Sequence, residues 1–530
     1  MAGPKINKEK TALLWIGSIE KRWKLQNTDL IWTDGPVKYL GFSISMDEQV
    51  ACNVDWDDKM EKMQRLLDNW RKRNLTLFGR VMIIKSLALS QVVHLLMFSQ
   101  VPPSIITRLN KMFFRFLWKT KAERVRRCDV VRNCKDGGLK MIDIEKKVFS
   151  FRLRWLGRLV SDTNDIWKIL GNYWFNRFGG LSLILNSDFR VYDVKFMFNG
   201  NMPLFYVEII RAWSVVDKRQ LQRKLPVEKN ILWHNQYIVF NKRPLFYKEW
   251  FCSGIVRLED ILTVNGSFKS LEEIIYLLKS RNSKRRAIFY YFKLRQAIPK
   301  IWFEQMSKER NQEISQLTIP NIEKGTIVRR LHDITSKCFY NNLIQQEGGN
   351  TRCCFFWENL TQLNITWKRC FERNLVLVKD NKLREFNFKV LYNLLPVKRN
   401  LCKWNMIDEA QCIACQVDED ITHALITCKL NEQFWLYVTW LIQKVFHKRI
   451  DIDIDLLIKS SEYDDIDDLI NIAFWSIYKM ILLRNYKGVD KRESCLRYVF
   501  AAELRKRLQV NKIRTGKPLY RLPNELFDFA

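Results

Sequence analysis

The sequence predicts a mainly α protein with a small N-terminal β segment. Three observations carry that reading: apolar residues recur at helical spacing from residue 55 onward, short alternating runs are confined to residues 1–50, and a cluster of cysteines with one histidine lies between helical stretches. With 530 residues, 47% hydrophobic and 13% aromatic, the chain is not generally disordered and has room for about two to four domains with their own cores.

Residues 12–16 form a compact apolar run, and residues 37–44 alternate as a strand does, after a turn at Gly35-Pro36. Two or three strands cannot bury a sheet face alone. Their sheet partners are therefore expected upstream of Met1.

From residue 55 the period becomes helical. Asp57 and Asp58 suit the positive end of a helix dipole, Met60, Met63, Leu67 and Trp70 form its buried stripe, and Lys59, Lys62, Arg65 and Arg73 stay outside. Residues 77–96 read as a second helix carrying Arg80 and Lys85, ended by Val101-Pro102-Pro103, and residues 105–118 as a third. Three short helices with brief connectors make a small bundle. A turn at Gly137-Gly138 precedes a helix over 144–159. Residues 160–345 alternate helices with Asn-rich breaks, with a basic loop at 280–286, and residues 346–350 read as a flexible link. Interleaved aromatics and cations in that stretch are more often core and rim than a base-stacking platform, so no site is assigned there. The acidic stretch 451–468 reads as loop and helix start, and 492–514 as a basic amphipathic helix.

The charge is lopsided. Lys and Arg number 89 against 57 Asp and Glu, a net +32, and such self-repulsion is best offset by a polyanion, so RNA or DNA is the expected partner. The excess is concentrated: residues 55–158 hold 24 basic against 10 acidic residues. Lys119, Lys121, Arg124, Arg126, Arg127 and Arg132 are denser than solubility requires and read as a phosphate-tracking surface.

Cys412, Cys415, His423 and Cys428 stand as C-x2-C-x7-H-x4-C. Three thiols and one imidazole are the usual ligands of a closed tetrahedral Zn²⁺ site, with no position left for substrate, so the site reads as structural. A tight turn can aim both sulfurs of Cys412 and Cys415 at one ion. His423 and Cys428 are a little over one helical turn apart, so both reach the metal if the helix ends near Cys428. Cysteine also packs as a small hydrophobe, but residues 416–420 between the ligand pairs form a polar, acidic loop, unlike a core segment. The 13 cysteines show no disulfide framework, the start lacks an apolar signal core, and no stretch reaches about 18 uninterrupted apolar residues. A reduced intracellular protein, nuclear or cytoplasmic and without a membrane partner, is expected.

Three blocks together resemble the reverse transcriptase of LINE-type (non-LTR) retrotransposons. Lys10-Thr11 with Trp15-Ile16-Gly17, then Tyr39-Leu40-Gly41, is similar to the last palm segment and the primer-grip hairpin. Trp70, residues 75–81, Ile84-Lys85-Ser86, Phe116-Leu117-Trp118 and Gly137-Gly138-Leu139 are similar to the thumb and the segment after it. Residues 388–391, Leu395-Pro396 and the Cys/His quartet with Phe434-Trp435 are similar to the zinc-binding domain of these proteins. The resemblance implies a palm remnant and primer grip over 1–50, a thumb-like bundle over 51–135, a helical connecting region over 136–345 and a zinc-binding domain over 346–530. It further implies that Tyr39, Leu40 and Gly41 support a primer end, that Arg80 and Lys85 lie near backbone phosphates, and that the quartet holds Zn²⁺.

Such polymerases need palm carboxylates, in a Tyr/Phe-x-Asp-Asp turn with a third Asp, to bind two Mg²⁺ ions. That motif belongs before the primer grip, so Mg²⁺ is expected only with a palm supplied upstream. Tyr463-Asp464-Asp465 lacks the spacer and lies behind the quartet. The expected function is that of a truncated reverse-transcriptase-like protein that binds RNA or DNA through thumb and zinc domain without polymerising. The alternatives are a host-adopted nucleic-acid-binding or scaffold protein, and an active RNA-directed DNA polymerase if translation starts further upstream. No nucleophile motif or Gly-rich phosphate loop suggests another enzyme.

Overall fold

The computed structural model describes residues 11–15, 31–33, 35–39, 41–45, 48–120, 122–178, 180–185, 194, 198, 202–216, 221–222, 227–235, 237–241, 243–278, 281–309, 321–324, 327–346, 349–361, 365–459, 463–487 and 493–515. The architecture is mainly α, with only short strands among these residues.

Strand β1 (Ala12–Leu14) pairs in parallel with β2 (Ile31–Thr33), and β3 (Val37–Tyr39) forms an antiparallel hairpin with β4 (Phe42–Ile44), with Tyr39 opposite Phe42. Gly41 turns the hairpin at φ +86°, where a side chain would be strained. Helix α1 (Glu48–Arg71) begins before the aspartates that suggested its start. Asp55, inside it, accepts from Ser43 N and Oγ at 2.8 and 2.6 Å and so ties β4 to the helix.

The run 77–96 is not one helix. It divides into α2 (Leu77–Ile83), a wide turn Ile84–Ala88 with i→i+5 bonding, a tight turn Leu89–Gln91 and α3 (Val93–Phe98). Ser86 Oγ donates to the Met82 carbonyl at 2.7 Å, competing with the backbone ladder where it widens. Helix α4 (Pro103–Trp118) opens with proline at its start, where the missing N–H costs nothing, and α5 (Arg127–Val131) and α6 (Ile144–Val160) follow. Further on come α7 (Leu204–Ser214), α8 (Arg281–Ala297), α9 (Ser336–Gln345), α10 (Arg352–Thr361), α11 (Asn381–Leu391), α12 (Lys398–Lys403), α13 (Glu432–Phe446), α14 (Asp464–Lys487) and α15 (Glu493–Thr515). Two expectations change here. Of the basic stretch 280–286, residues 281–286 lie in α8 instead of forming a loop, Ser280 being outside the described residues, and residues 160–345 include a small antiparallel sheet of Leu221–Gln222, Asn321–Lys324 and Ile327–Arg329.

The chain forms two compact units that interleave in sequence. The first takes residues 1–62, 90–110 and 143–347, and the second takes 63–89, 111–142 and 348–530. In the first, α6 packs against α7 and α9, burying Leu153, Leu156, Ile209, Trp213, Phe339 and Leu343. Two of its buried tryptophans find carbonyl partners for their N–H groups: Trp213 on Leu185 at 2.9 Å and Trp233 on Ile255 at 2.7 Å. In the second, α14 and α15 pack together and α13 lies against both, with Phe434, Val438, Leu441, Phe474 and Phe500 inside. Among the described residues, no helix is long and apolar enough to cross a membrane.

Candidate metal centre and basic surface

The quartet is assembled by two local devices. Residues 410–419 form a tight hairpin: Cys412 N donates to Val417 O at 2.7 Å, Gln416 N to Cys412 O at 2.9 Å and Glu419 N to Ala410 O at 2.9 Å. Gln416 takes φ +57°, and this left-handed residue closes the turn that carries Cys412 and Cys415. His423 begins a wide helical turn (His423–Thr427) that ends as Cys428 N donates to His423 O at 2.9 Å and Cys428 becomes extended. The helix therefore stops where the spacing required, and the extra width brings both side chains to one side.

All four ligand atoms lie within 4.8 Å of one another. Cys428 Sγ is 3.8 Å from Cys412 Sγ and 3.9 Å from Cys415 Sγ. With Zn–S bonds of about 2.3 Å, tetrahedral geometry sets sulfurs about 3.8 Å apart, so the spacing fits the ion. His423 Nδ1 faces Thr427 Oγ1 at 3.3 Å, while its Nε2 is buried without a hydrogen-bond partner. An orphaned imidazole nitrogen beside three sulfurs is the expected surround of a metal ion. Burial, with the neighbouring sulfurs of Cys412 and Cys415, pushes the Cys428 thiol up to about 12, so thiolates here need a cation to offset them. Lys429 N donates to Cys415 Sγ at 3.4 Å.

Sequence reasoning missed the support around this cluster. Asp420 Oδ1 accepts from His423 N at 2.8 Å, an N-cap three residues before the ligand whose spacing was visible in the sequence. Glu419, read as part of a polar, acidic loop, is fully buried and paired with Arg484 of α14 at 2.7 Å; no local pattern announces that long-range pairing. Asn431 Nδ2 and Trp435 Nε1 donate to the Ala424 and Leu425 carbonyls at 2.9 and 3.0 Å, satisfying the end of the turn. Thr427→Val is expected to weaken zinc affinity about 10- to 100-fold by freeing the His423 ring, measured by competition with a chromogenic chelator. Unchanged affinity would refute that orienting role.

The basic candidates of the second unit fall into two groups. Arg80 is half-buried and donates to Leu117 O at 2.6 Å at the end of α4; burial lowers its pKa, opposed by Glu385. Lys119 takes φ +58°, donates to Arg73 O at 3.4 Å and offers its own carbonyl to Arg71 at 2.6 Å; burial, then Arg80 and Arg71, lower its pKa. Lys85 is half-buried in the wide turn after α2. Exposed by contrast are Arg124, stacked 3.9 Å from the centre of the Trp404 ring, and Arg126 at the start of α5. Arg127 is exposed as well, but is engaged with the Glu123 carboxylate and the face of Phe114. Arg132, half-buried, donates to Gly349 O at 2.6 Å. Lys121 lies outside the described residues. In the first unit, Tyr39 stands 62% exposed at the hairpin beside Gly41, while Leu40 lies outside the described residues.

The model of a family described as zinc-binding in reverse transcriptase matches residues 334–435, which contain the whole quartet. The chain is 20% identical over 468 residues to a transposon TX1 uncharacterized 149 kDa protein of Xenopus laevis, an alignment covering 77% of this chain and 34% of that protein. Over 130 residues it is 26% identical to a putative ribonuclease H protein of Arabidopsis thaliana, covering 23% of this chain and 21% of that protein. The chain thus spans about a third and about a fifth of the lengths of these two relatives. The matched zinc-binding module and the Cys/His cluster together support zinc as its structural cofactor. A zinc-binding reverse-transcriptase module, within a chain that aligns along most of its length with a transposon protein, supports its reading as a reverse-transcriptase region of the LINE retrotransposon type.

Proposed function

We propose that the chain binds RNA or DNA, with Zn²⁺ on Cys412, Cys415, His423 and Cys428 holding the binding module in shape. The net charge of +32 carries this reading, since a polyanion is the partner that offsets it. Arg124 and Arg126 are the phosphate contacts on this reading. Arg80 and Lys119 bond to backbone carbonyls and hold the α2–α4 junction, and Lys85 and Lys121 add to the basic charge of the same stretch of sequence. The thumb-like bundle over 51–135 and the zinc domain over 346–530 would grip a template–primer duplex, with the hairpin at Tyr39, Leu40 and Gly41 under the primer end. Polymerisation, with two Mg²⁺ on palm carboxylates, would fall to a palm preceding that hairpin in the order of such proteins.

The test is affinity for a structured RNA across salt concentrations. Log K is expected to fall steeply and linearly with log salt, and Arg124→Ala with Arg126→Ala is expected to reduce that slope by about 2. A flat dependence would overturn the proposal and favour a scaffold protein whose zinc domain serves protein contacts.

A further inference from the structure

Beside the finger, within the second unit, a cavity of about 350 Å³ opens between α10 and α12. One wall comes from Phe356 and Leu360, which share a face of α10 at i, i+4 spacing and are 38% and 50% exposed. The other comes from Arg399 and Lys403, also i, i+4 and both exposed, on α12. Ile421 and its neighbours Asp420 and Thr422, just before the ligand His423, close the end. An apolar aromatic wall facing two cations across a space of this size has a specific complement. It suits a flat apolar ring carrying a negatively charged group.

We propose that this groove takes one unpaired nucleobase of a single-stranded RNA or DNA, the base lying on Phe356 and the adjoining phosphates held by Arg399 and Lys403. The proposal rests on the nucleic-acid reading above and adds a subsite and a preference to it. A base inside a duplex is stacked and paired and cannot enter a pocket, whereas an unpaired base presents its face to an aromatic ring. Arg399 is only loosely paired, 3.7 Å from Asp420 at an exposed site, so a phosphate can compete for it. The groove also depends on the metal. Asp420 both lines it and caps His423, so loss of zinc removes one wall.

The experiment uses the full zinc-loaded chain, a labelled ten-nucleotide oligouridylate and a blunt RNA duplex of equal length, with binding followed by fluorescence anisotropy. Phe356→Ala is expected to lower single-strand affinity about tenfold while leaving duplex affinity unchanged, and Phe356→Tyr to restore it. Arg399→Ala and Lys403→Ala are expected to weaken the single strand and flatten its salt slope by about 0.7 each. A strand carrying 4-thiouridine should photocross-link to the peptide 352–361. If the wild type binds RNA with a steep salt slope but Phe356→Ala changes nothing and the cross-link falls elsewhere, the groove is not a base pocket and the general reading stands. If the wild type binds neither RNA, or binds with a flat slope, the general reading fails and the pocket with it.

Discussion

Cys412→Ser is expected to empty the metal site and unfold the second unit. A serine hydroxyl is neutral and hard where Zn²⁺ wants a thiolate, so the ion keeps three ligands and an open, wet position. The free energy at stake is large. Structural zinc contributes about 10–16 kcal/mol in finger peptides, as much as the whole stability of a typical domain, about 5–15 kcal/mol. Here the finger is also part of a larger core: Leu425 and Ile421 are buried within it, and Glu419 reaches Arg484 in α14.

Sequence order predicts that residues 55–130 stay folded through this change, since they read as a separate bundle. Their structure argues otherwise. Residues 63–89 and 111–142 belong to the same compact unit as the finger, with Arg124 stacked on Trp404 and Leu77 N donating to Glu385 at 3.3 Å. The expected result is zinc content near zero by elemental analysis, and rapid proteolysis within 63–89, 111–142 and 348–515. The segment 143–347 should stay protected. Chelation of the wild type should reproduce the pattern. A variant that keeps its zinc, or melts like wild type, would overturn the structural-site assignment.

The sequence made the finger legible because its ligands are few, rare and local: C-x2-C and H-x4-C each report one turn of backbone. Helices α4, α6 and α15 were legible for a similar reason, since each repeats its apolar period over several turns. What stayed hidden depends on groups far apart in the chain. The burial of Glu419 turns on Arg484, 65 residues away. Charge counting also overstated the surface. Arg80, Arg152 and Arg154 contribute to the basic excess of residues 55–158, yet each is directed at backbone carbonyls. A guanidinium has five donors, and composition cannot say whether they face phosphate or protein.

Arg152 is the clearest instance and supports the second large prediction, which concerns the first unit. Its side chain is fully buried on α6, donates to the carbonyls of Leu96 at 3.3 Å and Met97 at 2.8 Å as well as to Ser99, and pairs with Glu208 of α7 at 2.8 Å. It therefore caps the open end of α3 and joins three elements. Arg152→Leu preserves bulk but leaves those carbonyls unmet and Glu208 without its partner. Breaking a buried pair from one side costs about 3–5 kcal/mol, because the remaining charge is uncompensated. The unfolding transition of this unit is expected to fall by about 10 °C, with that of the second unit unmoved. The pH dependence gives the mechanism away. Burial raises the Glu208 carboxyl above its ordinary range, and Arg152 pulls it partly back; without the arginine it rises further. A carboxyl raised in the folded state favours folding below its unfolded pKa, about 4.3, and that contribution is lost as pH rises through the folded value. The deficit of Arg152→Leu should therefore be smallest near pH 4 and grow toward neutrality. Adding Glu208→Gln should recover part of it at pH 7 and none at pH 4. A deficit that is the same at both pH values would mean that the lost carbonyl contacts, and not the stranded carboxylate, set the cost.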